Sequence, residues 1–195
     1  MNAVRGSGNS NHNDADFEQS KATGEMKGSY SYVRAQDMVS SEGARNGTTT
    51  AVFTDGVDAN DIRQGSLGDC YLLSAMSIIA HSRPELIKKI FHPESRTYRN
   101  EGIYTIMLYN GKTANLVTVD DKFLVGASKR HAFVRLVTDP SSNEREIWPL
   151  LVEKAYAKFH GSYSNIEGGL VHAAIEELTN GAGSSYQLRQ KDIEQ

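Results

Sequence analysis

The sequence predicts an α+β fold, with helices packed beside a small antiparallel sheet. Three observations carry that expectation. Over 69–80, Leu72, Leu73, Met76, Ile79 and Ala80 recur at helical spacing on one broad face. Residues 102–121, GIYTIMLYNGKTANLVTVDD, contain two β-rich runs separated by Asn110-Gly111, the pair that best suits a type I′ hairpin turn. Residues 146–161, EIWPLLVEKAYAKFHG, return to helical period, with Trp148, Leu151, Ala155 and Phe159 on one face and Gly161 as a C-terminal stop.

The remaining elements follow in chain order. Residues 1–50 are rich in Gly, Ser, Asn, Asp and Thr and read as a largely disordered leader. Order is expected from about residue 51, in TAVFTDGVDANDIRQG, giving one domain over 51–195. SRPELIKKIF (82–91) reads as a short helix capped by Ser82, with Pro84 tolerated in its first turn. HAFVRLV (131–137) reads as a strand, and GGLVHAAIEELTNG (168–181) as a helix ending at Asn180-Gly181.

Composition narrows the class. A chain of 195 residues with 38% hydrophobic and 23% charged residues has the balance of a globular protein. A net charge of −3, with scattered Lys and Arg, gives no basis for binding nucleic acid. The longest apolar run, 71–80, is broken by Ser74 and Ser77 and is too short to span a bilayer. The first residues lack the apolar core of a signal peptide, and Asn2 rules out N-myristoylation. Without secretion, the sequon at Asn46 stays idle. One cysteine forms no internal disulfide, which agrees with a reducing compartment, so the expected location is cytoplasmic.

That cysteine sits in QGSLGDCYLLSAM, residues 64–76. A thiol near pKa 8.5 is a poor nucleophile at neutral pH, and a helix N-terminus lowers that value. Cys70 falls in the first turn of the predicted helix. Gly65 and Gly68 permit a tight bend and leave room for a substrate chain. The Gln64 amide and the Cys70 N–H together supply two donors for an oxyanion. The arrangement suits acyl transfer. A small buried cysteine packing a helix start remains the commoner alternative.

QGSLGDCYLLSA resembles the nucleophile signature of the calpain family of cysteine endopeptidases, with Tyr71 where most members carry Trp. EIWPLLVEKAYAKFHGSYSNIEGG (146–169) resembles the family's Trp-led helix and the Gly-Gly turn behind it, and the hairpin ending VTVDDKFLV also fits. The resemblance covers about residues 50–185. It implies the first, Cys-bearing subdomain of a papain-like core, acting on protein or peptide substrates, with Cys70 as nucleophile and Gln64 in the oxyanion hole. The catalytic His and Asn belong to a second subdomain, in motifs resembling GHAY and NPWG, and neither motif occurs here. His81, His92, His131, His160 and His172 sit in unrelated contexts and read as surface or packing residues. The isolated chain is therefore expected to lack a base and to be inactive.

TDGVDANDI (54–62) places Asp55, Asp58 and Asp61 around a glycine, without the alternating ligands or closing Glu of an EF-hand. Turn and cap roles account for such acids equally well. The family resemblance implies Ca²⁺ here, held by the Asp61 and Glu146 carboxylates and the Thr54 and Gly56 carbonyls. Ala59 departs from the pattern, because the family's calcium switch uses an Arg at that position. Two other readings stay open: a proteolytically dead calpain-like interaction or calcium-binding protein, and a redox-sensing thiol.

Overall fold

In the computed structural model, which describes residues 14–37, 48–54, 56–126, 132–135, 137–138 and 142–184, one helix lies at the centre. This helix, Trp148–Phe159, is buried on every side from Trp148 to Ala157, Glu153 and Lys154 included. The apolar stripe read from the sequence is only part of its contact surface. Glu153 and Lys154 are inside because each has a polar partner there, as buried ionisable groups require.

Around it the elements run α1 (Gln19–Thr23), β1 (Tyr30–Arg34), β2 (Thr49–Ala51), α2 (Cys70–Ser82), α3 (Pro84–Ile90), β3 (Ile103–Asn110), β4 (Thr113–Asp120), β5 (Lys122–Gly126), β6 (Val137–Thr138), β7 (Glu144–Glu146), α4 (the central helix) and α5 (Val171–Thr179). Among the described residues three small sheets result: β1–β5, β2–β7–β6 and β3–β4. The α+β expectation holds. The α2 helix buries Leu72, Leu73, Met76, Ile79 and Ala80, the face read from its period, and packs on α3 and α5. α5 ends at Asn180 in the left-handed region (φ 58°), as its Asn-Gly signal indicates.

Three local expectations are corrected. In the β3–β4 hairpin Asn110 pairs with Thr113, so the loop is Gly111-Lys112 and not Asn110-Gly111. Gly111 alone takes positive φ (56°), the pattern of a II′ turn, which asks for glycine at its first central position. Arg83, not Ser82, precedes α3, because Ser82 completes α2. Of the strand expected at 131–137, residues 132–135 carry an isolated bridge, Arg63 to Arg135, and Val137 opens the two-residue β6, while residues 131 and 136 lie outside the described residues. The backbone bonds of 132–135 go to several neighbours instead of one ladder: Ala132 N–H to Leu124, the Ala132 carbonyl to Ser66 N–H, and Val134 N–H to Glu153.

The leader expected over 1–50 overlaps residues 14–37, which are packed. Phe17, Ala22 and Ala35 are buried in the core. β1 pairs antiparallel with β5, and Arg34 reaches the fully buried Asp121 at 2.7 Å. Few apolar residues suffice here because the segment borrows hydrogen-bonding partners from β5 and the β4–β5 corner. Asp14 N–H, for example, donates to Asp120. The rest of that leader, Asn46 included, lies outside the described residues apart from 48–50. No described helix is long and apolar enough to cross a membrane.

Candidate active site

Cys70 is the first residue of α2 and is exposed. It lines an open groove of about 430 Å³ together with Gln64, Ile62, Leu73, Ser74, Ser77 and Ile78. The structure thus brings the two sequence-predicted catalytic residues, Cys70 and Gln64, to one concave surface. The Gln64 amide donates to the Leu67 carbonyl at 3.5 Å, the outer limit of a hydrogen bond.

The glycines before Cys70 do different work. A Cβ at Gly65 would lie 1.6 Å from the Phe133 carbonyl oxygen, so Gly65 lets two backbones touch. Gly68 has open space around it, and a Cβ there would meet nothing within 4 Å. The Gly68 carbonyl accepts the Gly168 N–H at 2.9 Å, and a Cβ at Gly169 would enter the Tyr71 ring. The two distant glycine motifs therefore meet at the start of the Cys70 helix. Gly65→Ala is expected to cost about 1–3 kcal/mol by overpacking, read as a lower urea midpoint, whereas Gly68→Ala, with nothing in its way, leaves the midpoint close to wild type.

No histidine lines the groove among the described residues. His81 is exposed in the last turn of α2, and His92 lies on the β3–β4 side with Glu94 and Arg99. His160 pairs with Glu177 at 3.0 Å, and His172 stands on α5. His131 lies outside the described residues.

The candidate calcium residues also converge. Parallel pairing of β2 with β7 sets Ala51 opposite Glu146, and the chain leaving β2 folds back so that Thr54 N–H donates to Glu146 Oε1 at 2.6 Å. Asp61 ends a 3₁₀ turn, Ala59–Asp61, where Asp58 and Asp61 form a reciprocal capping box. Asp61 Oδ2 also accepts the Trp148 indole N–H at 3.1 Å. Burial, and the Asp61 carboxylate against it, push Glu146 up to about 8. Asp61 thus has the cap role read from the sequence and also lies against Glu146. Gly56, at φ 152°, lies on the same loop, while Asp55 lies outside the described residues. No group of three His, Cys, Asp or Glu side chains gathers among the described residues, so any dication here would depend on carbonyl oxygens as well.

Residues 12–195 match the family described as calpain family cysteine protease. The chain belongs to the calpain family. It is 38% identical over 138 residues to "Calpain-type cysteine protease DEK1" of Zea mays, covering 71% of this chain and 6% of that protein. The protein of the same name in Arabidopsis thaliana is 35% identical over 158 residues, covering 81% of this chain and 7% of the relative. "Calpain-1 catalytic subunit" of Homo sapiens is 35% identical over 137 residues, covering 70% of this chain and 18% of that subunit. The chain thus spans less than a fifth of the length of these calpain relatives. Cys70 is the one thiol in the sequence.

Proposed function

We propose that this chain supplies the nucleophile half of a calcium-dependent, calpain-type endopeptidase of the reducing cytoplasm, acting on protein substrates. The observation that carries the proposal is the exposed Cys70 at a helix start, in one groove with Gln64. The Cys70 thiolate attacks the scissile carbonyl while the Gln64 amide and the Cys70 N–H receive the oxyanion. Collapse of the tetrahedral intermediate breaks the C–N bond and leaves a thioester on Cys70. The leaving amine needs a proton, and water must then be deprotonated to release the acid. A His held by an Asn on a second subdomain performs both transfers. That subdomain would cover the exposed face of α2, where Ser74 and Ile78 lie beside Cys70 and Ile78 is 49% exposed. On this reading the isolated chain does not hydrolyse peptides.

The Asp61–Glu146 pair fits a hard dication. Two carboxylates in contact, one of them buried, are stabilised by a doubly charged ion that accepts oxygen ligands. Thr54 and Gly56 would add backbone carbonyls, and bound calcium would supply charge that fixes the loop before Gln64. Calorimetric titration with CaCl₂ is expected to give saturable heat with the wild-type chain and none with Asp61→Ala. Heat that survives Asp61→Ala unchanged places the ion elsewhere, and no heat from either protein removes calcium from the proposal.

A further inference from the structure

Asp69 immediately precedes Cys70 at the position where an Asp ordinarily caps a helix by accepting the N–H of the second or third residue. Here its side chain makes no cap bond. The Leu72 and Leu73 N–H groups instead bond the Asp69 carbonyl, at 2.9 and 3.2 Å. The carboxylate turns inward, is 1% exposed, and meets the carboxyl of Glu153 on α4, which is 2% exposed. Glu153 Oε1 accepts Val134 N–H at 3.0 Å. Asp69 Oδ2 is buried and takes no N–H or hydroxyl donor among the described residues.

Two buried carboxyls in contact require a proton between them unless a cation intervenes. The nearest cation along the chain, Lys154, faces the other way, toward Asp120 and the Lys122 carbonyl. Tyr163, fully buried, and Tyr71 are the other titratable groups facing the pair, and neither supplies positive charge. Burial and the Asp69 charge both push Glu153 well up, in agreement with the geometry.

We propose that Glu153 is a positioning residue for the nucleophile: its carboxyl proton bridges to Asp69 and draws that side chain away from the first turn of the Cys70 helix. Without the bridge Asp69 is free to cap its own helix. That would occupy the N–H groups there and bring a negative charge beside the thiolate and the oxyanion. With it, the helix start stays open and α2 is tied to α4 and to the Val134 segment. The proposal rests on Cys70 as the nucleophile, but its test does not require proteolysis.

Because the chain has one cysteine, iodoacetamide alkylation reports Cys70 alone. The test follows its rate from pH 5 to 9.5 in wild type, Glu153→Gln and Glu153→Ala. Gln donates to Asp69 and accepts from Val134 as a protonated Glu does, so its profile is expected to overlay wild type. In Glu153→Ala the midpoint is expected to rise by about half a unit, roughly a threefold slower reaction at neutral pH. A Gln profile that shifts like Ala, or an Ala profile that stays in place, overturns the proposal. Should Glu153→Ala not fold, infrared difference spectra decide: wild type minus Glu153→Gln at pH 7 is expected to leave a positive carboxylic-acid C=O band, since the raised Glu146 carboxyl is common to both proteins and cancels, and absence of that difference band overturns the proposal. Failure of these arms leaves the assignment of Cys70 standing, whereas failure of proteolysis in an assembled protease leaves this bridge untouched.

Discussion

Cys70→Ala is expected to abolish peptide hydrolysis once the chain is joined to a calpain subdomain bearing His and Asn. The loss is about 10⁶-fold in kcat, the scale at which a nucleophile is missed when its partners act with it as a unit. Gln64→Ala is expected to cost less, about 10²- to 10³-fold in kcat, or about 2.7–4 kcal/mol of transition-state stabilisation. The difference has a physical origin. Removing the thiol removes the covalent route, while removing the amide leaves the Cys70 N–H as a single oxyanion donor. A fluorogenic peptide assay on the joined protein reads both numbers. A Gln64→Ala enzyme with unchanged kcat and raised KM would make Gln64 a binding residue instead. Hydrolysis by the unjoined chain that disappears with Cys70→Ala would show that it already contains a base.

The second large effect concerns stability. Asp120→Ala is expected to destabilise the fold by about 3–5 kcal/mol, because it strands the buried Lys154 ammonium. Lys154 is 1% exposed, contacts Asp120 and the Lys122 carbonyl, and lies 4.7 Å from the Tyr32 ring centroid. Asp120 also accepts the N–H groups of Asp14 and Lys122, at 2.9 and 3.0 Å. Loss of one carboxylate therefore releases the segment before α1, the β4–β5 corner and the central helix together. The double variant Asp120→Ala/Lys154→Met is expected to recover much of the loss, since the stranded charge goes with its partner. Urea unfolding of the single and double variants measures both.

The same ion pair gives the acid limb of stability its sign. Burial alone would push the Asp120 carboxyl up, but the Lys154 ammonium outweighs it and holds the group below the usual carboxylate range. A carboxyl depressed in the folded state adds stability above its unfolded value, and that stability is lost as pH falls through the folded value. Wild type is accordingly expected to lose stability on acidification below about pH 4, and Asp120→Ala to show a flatter acid limb.

Much of the site was legible because its signals are local. Cys70 at a helix start follows from the 3.6-residue period after residue 69, and Gln64 is only six residues upstream. The pairing of Asp61 with Glu146 was reached only through family resemblance, since 85 residues separate them and the parallel β2–β7 ladder brings them together. The Asp69–Glu153 contact had no sequence signal. An acid before a helix reads as a cap, and a Glu-Lys pair within a Trp-led helix reads as its wet face.

Local periodicity determined the helices, the β3–β4 hairpin and the residues fit for thiol chemistry, because those choices depend on neighbours within a turn or two. Tertiary structure decided where the charged residues went. With α4 enclosed on all sides, Glu153 and Lys154 had no solvent to face, so each was paired across the core, with Asp69 and Asp120 respectively. The cost of burying an unpartnered charge, which no single segment can express, fixed both pairs and set the nucleophile's helix against the centre of the fold.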